Sequence, residues 1–295
     1  MNKKMVFKGA ATALITPFKN GEIDYESLSG LIETQIEAGI DALVIGGTTA
    51  EAATLSDDER YRLFEFTSER IDGRTRIIFG TGTNDTRVAL RHTKYAARVG
   101  CDGVLLVTPY YNKGTELGIE KHYLSIAESV NLPIILYNVP SRTGVNLGIN
   151  LLSRLGEHPN IVGIKEASDS VDRLMALAEL RDKLYLYSGN DSQIYPTLAI
   201  GGMGVISVMS NIIPRATKEL CSSFFDGDTV SALKLQLRLL PFIRALFTET
   251  NPSPIKYAMS RRGLCQSEMR LPLCEPREST REEILTRLCE IEDLK

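Results

Sequence analysis

The sequence has no excess of charge that would suit a polyanion: 34 Lys and Arg stand against 37 Asp and Glu, for a formal net charge of −3. Without a basic field there is no electrostatic footprint for nucleic acid and no polybasic patch for a membrane surface. No apolar run approaches the ~18 residues that a bilayer-spanning helix needs. Histidine is scarce, with only His92, His122 and His158, all in helix-like or loop stretches. Neither a metal site nor histidine-based chemistry is therefore expected. The cysteines (Cys101, Cys221, Cys265, Cys274 and Cys289) are odd in number, scattered, and without a CxxC pair. That pattern fits reduced thiols in a cytoplasmic protein better than disulfides or zinc. Repeats, linkers and low-complexity segments are missing as well. The opening "MNKKMVFKGAATALITPF" places basic residues before small apolar ones, as a signal peptide would. Lys8 interrupts the apolar stretch, however, and Pro17 with Phe18 suits the end of a first strand.

What the sequence does contain is ordinary for a soluble globular enzyme: 295 residues, 43% hydrophobic and 24% charged. A chain of that length buries roughly 75% of its unfolded surface. Short apolar runs at 10–16, 42–46, 76–80, 103–108, 133–137, 161–165, 184–188 and 204–208 alternate with amphipathic stretches. The helices between them carry end signals: Asp24 as a cap before a stop at Gly39, Ser56 and Glu59 as a capping box, and a run from Thr86 to Val99 ending at Gly100. Strands alternating with helices imply parallel pairing through right-handed crossovers. Eight such units in about 225 residues predict a (β/α)8 TIM barrel. The rival, a doubly wound open sheet, needs a glycine-rich fingerprint after the first strand, and "ITPFKNGE" is not one. After Pro214 only helical patterns follow, at 214–225, 228–248, 252–262 and 280–293. The division expected is a catalytic barrel over 1–226 and a C-terminal helical extension over 227–295.

A barrel of this kind carries its chemistry at the C-terminal ends of its strands. Those ends read Thr16, "GGTTAE", "GTG", "TPYYN", "YNVPSRTG", Lys165, "SGND" and Ser207. Hydroxyls, glycines, one arginine and one lysine line the mouth, with few carboxylates, which excludes a two-carboxylate glycosidase and offers no cage for a divalent metal. Lys165 closes an otherwise buried run, "IVGIK". It is either paired with a carboxylate such as Glu166 or held as a desolvated amine that attacks a carbonyl. Side chains alternate along a strand, so Glu166 should point away from the barrel interior. Tyr137 ends the preceding strand, where its phenol could serve the amine, and Thr48 and Tyr111 could extend a chain of hydroxyls to solvent. Taken alone, Tyr137 reads more readily as a rim aromatic packed under a loop. "GGTT" lacks the Walker lysine but could hold a small carboxylate on backbone N–H groups. Arg142 is either the cation that receives a second carboxylate or a surface ion-pair partner.

Together "GTTAE", "GTGTND", "TPYYNK", "YNVPSRTG", "IKEAS", "SGND", "NPSPIKYA" and "MRLPL", in this order along nearly the whole chain, resemble the dihydrodipicolinate synthase (4-hydroxy-tetrahydrodipicolinate synthase) family. That family sits within the lysine-dependent pyruvate aldolase/lyase superfamily. The resemblance implies that Lys165 forms a Schiff base with pyruvate and that Tyr137 relays protons with Thr48 and Tyr111. It further implies that Thr48 and Thr49 hold the pyruvate carboxylate, and that Arg142 meets the carboxylate of aspartate semialdehyde. Gly189 and Ile206 would line the pocket through their backbones. No cofactor is implied; the partners are the two substrates and further copies of the chain, most simply in a tetramer built from two tight dimers. Ala50 stands where the family usually has glycine, which would cost about 1 kcal/mol if that position needs a positive φ. Two other readings stay open on sequence alone: a pyruvate lyase acting on a sugar acid, against which Arg142 argues, and a non-catalytic keto-acid sensor, against which the intact set of Lys165, Tyr137, Thr48 and Tyr111 argues.

Many members of that family are inhibited by free lysine, bound near the segments equivalent to 52–60 and 84–88. Sensitive members carry a glutamate at the place of Val88 and histidines near those of Asp57 and Arg60. Ala52, Ala53, Asn84 and Tyr110 could still shape such a pocket. Val88 can accept nothing, and leaving a buried ammonium without its charged partner costs roughly 3 kcal/mol or more. Asp57 could offer one partner, whereas Arg60 would repel. Lysine at millimolar concentration should therefore leave activity unchanged. Half-inhibition below about 1 mM in a titration, where binding would be worth ~4 kcal/mol, would contradict this.

Overall fold

Strands that are apolar on both faces need cover on both, which a parallel sheet wrapped in helices supplies. The computed structural model, which describes residues 3–294, has that arrangement. Its strands, in chain order, are β1 Gly9–Ala13, β2 Phe18–Lys19, β3 Glu22–Ile23, β4 Ala42–Ile45, β5 Arg76–Gly80, β6 Gly103–Val107, β7 Ile134–Asn138, β8 Ile161–Glu166, β9 Tyr185–Ser188 and β10 Gly204–Ser207. All but β2 and β3 form a closed barrel in the order β1-β10-β9-β8-β7-β6-β5-β4, every neighbour parallel. Each barrel strand thus overlaps one of the eight runs that the alternation marks out, with Gly9, Asn138 and Glu166 lying one residue beyond them.

The helices are α1 Tyr25–Glu37, α2 Asp57–Ile71, α3 Thr86–Val99, α4 Glu116–Glu128, α5 Pro140–Thr143, α6 Ile149–Leu155, α7 Val171–Ala178, α8 Ile194–Ala199, α9 Pro214–Phe225, α10 Thr229–Leu246, α11 Ser253–Arg261 and α12 Glu278–Glu290. Asp24 caps α1 by accepting from the Ser27 N–H, Ser56 and Glu59 form the complete capping box of α2, and Gly100 ends α3 in the left-handed region. Two local readings need correction. The first strand stops at Ala13 rather than at residue 16, although the Leu14 N–H still bonds the Val44 carbonyl at 3.0 Å. "FKNGEI" is a small antiparallel hairpin, with Phe18 opposite Ile23 and both turn residues, Asn20 (φ 54°) and Gly21 (φ 84°), at positive φ. A two-residue Asn-Gly loop favours that mirror-image turn.

Two apolar clusters separate inside from outside. The smaller fills the barrel with residues such as Ala11, Val44, Ile78, Ile135, Val162 and Tyr187; the larger lies between strands and helices. The N-terminal mouth is plugged. Phe7 stacks on Tyr187 at 4.4 Å and accepts its phenol on the backbone carbonyl at 2.8 Å. Lys3 Nζ donates to the carbonyls of Gly156, His158 and Ile161. Chemistry is left to the opposite, C-terminal end.

The seam between β1 and β10 depends on Gly204. Its φ is +150°, and a Cβ there would lie 1.8 Å from the Gly9 carbonyl oxygen. Gly204→Ala should cost more than about 4 kcal/mol or abolish soluble expression. An unchanged urea midpoint for that variant would show that the seam tolerates the methyl group.

Candidate active site

Strict alternation would fail to put Lys165 inside the barrel. Ile161 belongs to the outer cluster and Val162 to the inner one, so an unbroken zigzag from Val162 would aim Ile164 and Glu166 inward. The ladder between β7 and β8 instead shifts register: Ile134 pairs with Ile161, whereas Ile135 pairs with Gly163. Val162 is thus a bulged extra residue that resets the phase. Ile164 turns to the outer cluster and Lys165 turns inward, opposite Tyr137. Gly163 is required at this point, because a Cβ would lie 2.8 Å from the Tyr185 carbonyl oxygen.

The outward neighbour, Glu166, is fully buried but engaged elsewhere. It accepts from Arg173 Nε at 2.9 Å, from Asn138 Nδ2 at 2.9 Å and from the Ser168 N–H at 3.0 Å. Lys165 is 5% exposed, and among the described residues no carboxylate forms an ion pair with it. Its amine lies 4.2 Å from the centroid of the Tyr137 ring. Burial lowers its pKa from 10.5 to about 7, opposed by the Asp191 carboxylate and assisted by the Arg142 guanidinium. Asp191 is itself pushed up by burial, with its Oδ2 held by the N–H groups of Val208 and Met209.

Tyr137 is buried, which raises its phenol pKa, while Arg142 and a hydrogen bond with Thr48 pull the other way. Thr48 and Thr49 begin a 3-10 turn over Thr48–Ala50, whose first N–H groups lack helical acceptors. Ala50 sits in that turn without a positive φ. The residue that takes the left-handed conformation is the next one, Glu51, at φ 56°. The expected penalty at Ala50 therefore does not arise. Arg142 lies on α5, started by Pro140 and stopped by Gly144 at φ 68°. Gly189 packs so closely on β8 that a Cβ would lie 2.7 Å from Ala167 Cβ, and Ile206 pairs with Ala11 in the barrel wall.

A cavity of about 350 Å³ is lined among others by Thr48, Tyr137, Arg142, Tyr110, Arg60 and Asn251. Lys165, Thr49, Gly189 and Ile206 are not among its lining residues, and Lys165 lies behind the Tyr137 ring. Asn251 carries no role in the sequence reading. Its Nδ2 donates to Thr49 Oγ1 at 3.0 Å and its carbonyl accepts from Arg142 at 2.8 Å. The "NPSPIKYA" segment that carries it is part of the family resemblance, but nothing local in it points to partners 202 and 109 residues away. Tyr111 is not brought to the site within the single chain; it is 88% exposed, at φ 75°. Asp57 is paired with Arg91 at 2.6 Å, and Arg60 is buried, donating to the Gly80 and Ala52 carbonyls. Asp57 thus already has a cationic partner at the surface, though one that exposure makes weak.

Residues 6–291 match the family model described as the dihydrodipicolinate synthetase family. A 4-hydroxy-tetrahydrodipicolinate synthase of Clostridium novyi is 46% identical over 278 residues, 94% of this chain and 94% of that one. A structure described as the first monomeric dihydrodipicolinate synthase variant superposes with a TM-score of 0.95 at 42% identity, covering 98% of both chains. The chloride-inhibited dihydrodipicolinate synthase of Acinetobacter baumannii, in complex with pyruvate, gives a TM-score of 0.94 at 42% identity, covering 97% of this chain and 99% of that one.

The displaced titration of Lys165 has a stability consequence with a definite sign. The amine titrates near 10.4 in an unfolded chain and at about 7 in the folded one. Between those values the unfolded state binds more protons, so stability rises with pH, and the burial penalty is full below pH 7. Lys165→Met should therefore be more stable than the parent at pH 6, by up to a few kcal/mol, and the gap should shrink towards pH 10. Urea denaturation at pH 6 and pH 9 checks this. A gap that does not change with pH would show that the amine is not desolvated.

Proposed function

The chain belongs to the dihydrodipicolinate synthetase family, and within that family we propose that Lys165 is the nucleophile of a Schiff-base mechanism. The activity is that of a 4-hydroxy-tetrahydrodipicolinate synthase, a lyase that condenses pyruvate with L-aspartate 4-semialdehyde. This is the first committed step of lysine biosynthesis through diaminopimelate. Among the described residues no helix is long and apolar enough to cross a membrane, and a cytoplasmic location is our reading.

The observation that carries the mechanism is the buried amine with a pKa of about 7, so a large neutral fraction exists at physiological pH. Neutral Lys165 Nζ attacks the C2 carbonyl of pyruvate. The carbinolamine loses water to an imine, and loss of a C3 proton gives an enamine. The enamine carbon attacks the aldehyde of the second substrate, whose amino group then adds to the imine carbon, closes the ring and frees Lys165. Each step moves protons, and the Tyr137–Thr48 hydrogen bond supports a relay by these two hydroxyls. Thr48 and Thr49 are the groups we assign to the pyruvate carboxylate, Arg142 to the semialdehyde carboxylate, and the backbones of Gly189 and Ile206 to the wall. We take 1–226 as the catalytic barrel and 227–295 as the extension, a division in which Asn251, Pro272 and Leu273 are the extension's contribution to the cavity wall.

The relay is short of one hydroxyl in the single chain, because Tyr111 points away from it into solvent. An exposed tyrosine at positive φ, next to Tyr110 in the cavity wall, supports a tight dimer in which each Tyr111 enters its neighbour's site. Two such dimers would make a tetramer.

Borohydride added with pyruvate should fix a covalent adduct on Lys165 and abolish turnover; mass spectrometry placing the adduct elsewhere would end the mechanism. Arg142→Ala should keep pyruvate trapping largely intact while lowering kcat/KM for aspartate semialdehyde by about 10- to 100-fold, the loss of a charge-assisted contact. Equal loss in both half-reactions would make Arg142 structural. Light scattering should find the active species to be a homo-oligomer, and a fully active monomer would refute the contribution of Tyr111 from a neighbour.

A further inference from the structure

Among the described residues, one ion pair has both side chains fully buried: Lys256 Nζ lies 2.6 Å from Glu51 Oε1, with each side chain 0% exposed. The partners come from opposite ends of the chain, Lys256 from α11 and Glu51 from the turn after β4. Lys256 also donates to the Thr16 carbonyl at 2.9 Å and lies 4.4 Å from the centroid of the Phe18 ring. The second oxygen of Glu51 accepts the Arg270 N–H at 3.0 Å. Both oxygens of this carboxylate are thus committed to the C-terminal extension.

A buried ion pair is a weak source of net stability, because desolvation offsets most of its attraction. Its position is more informative. Glu51 is the left-handed residue that ends the Thr48–Ala50 turn, a backbone state that a non-glycine side chain resists unless its surroundings hold it. Its N–H bonds the Thr48 carbonyl, and the Ala52 N–H reaches back to the Gly47 carbonyl. Moving the Glu51 carboxylate therefore moves the backbone that aims Thr48 at Tyr137 and Thr49 at Asn251.

We propose that Lys256 is a positioning residue for pyruvate binding: through Glu51 it fixes the Thr48–Thr49 turn relative to Lys165. The extension contributes no reacting group here, yet it sets how the carboxylate of the first substrate is met. This rests on the assignment of Thr48 and Thr49 to that carboxylate.

Two variants read the effect. Glu51→Gln keeps the side-chain shape while removing its charge, and Lys256→Met removes the amine from the other side. In both, the pyruvate KM should rise, and borohydride trapping at low pyruvate should slow, by about tenfold or more, as expected when a binding group is displaced by a fraction of an ångström to an ångström. The KM for aspartate semialdehyde should change by less than about threefold. Lys218→Met is the control. It removes a partner of Asp41 at the plugged end of the barrel, and should lower the melting temperature without moving the pyruvate KM. A parental pyruvate KM in Glu51→Gln, or an equal rise in Lys218→Met, would overturn the proposal. So would failure of Glu51→Gln to fold, since the pair would then be a folding element. Trapping on the parent chain is run first: if Lys165 is not labelled there, the catalytic assignment fails; if it is labelled and the variants bind pyruvate normally, only the positioning role fails.

Discussion

Taking the Lys165 ammonium out of water costs free energy that no neighbour fully returns, and the C-terminal end of the barrel is arranged around that deficit. Asp191 attracts the amine without forming an ion pair with it, its own carboxylate being tied to the N–H groups of Val208 and Met209. Arg142 acts in the opposite sense. The face of Tyr137 offers only partial compensation. A direct carboxylate partner would have kept the amine charged at neutral pH and useless as a nucleophile. Glu166, the adjacent carboxylate, is kept out of reach by the bulge at Val162, which sends it outward to Arg173. One extra residue in one strand thus decides both which side chain enters the barrel and whether it can react.

The groups facing the amine are held from several directions. Thr48, after β4, is tied to Tyr137 on β7, three strands around the barrel, and Thr49 to Asn251 from the segment before α11. The Asn251 carbonyl meets Arg142, so the two sites assigned to carboxylates are joined through one residue of the C-terminal extension. In such an arrangement the spacing between the two substrates is fixed by protein rather than by solvent, and correct spacing is where proximity gains arise.

The barrel was legible because burial on both faces forces the strands into continuous apolar runs, and eight of those runs separated by capped helices leave few alternatives. The positions of Lys165, Tyr137, Thr48 and Arg142 followed from strand ends, where the fold places chemistry. The rest depended on contacts between distant segments. The register shift at Val162 goes together with a close approach of Gly163 to the Tyr185 backbone, which no pattern within "IVGIK" encodes. Ala50 looked like the strained position because glycine was expected there, but the strain falls on Glu51, which Lys256 and the Arg270 N–H hold in place. The Asn-Gly pair at 20–21 carries a local turn signal, which reading Pro17 and Phe18 as the end of the first strand obscures. Asn251 and Lys256 lie some 200 residues from their partners in the chain, beyond the reach of any local argument.

The distribution of buried polar atoms fits this account. At the plugged end of the barrel, Lys3, Tyr185 and Tyr187 all donate to backbone carbonyls. At the open end, Thr16 Oγ1, Asp191 Oδ1 and Asn251 Oδ1 are buried without a protein partner, as is Arg60 Nε in the cavity wall. A buried polar atom left unpaired costs stability, and folded proteins keep few of them. Beside the cavity, such atoms are left to solvent or substrate groups rather than to further protein partners. The desolvated amine and the left-handed Glu51 lie at the same end. The cost of a desolvated amine and a left-handed glutamate is borne where substrate must be met, while the N-terminal plug keeps its polar groups paired.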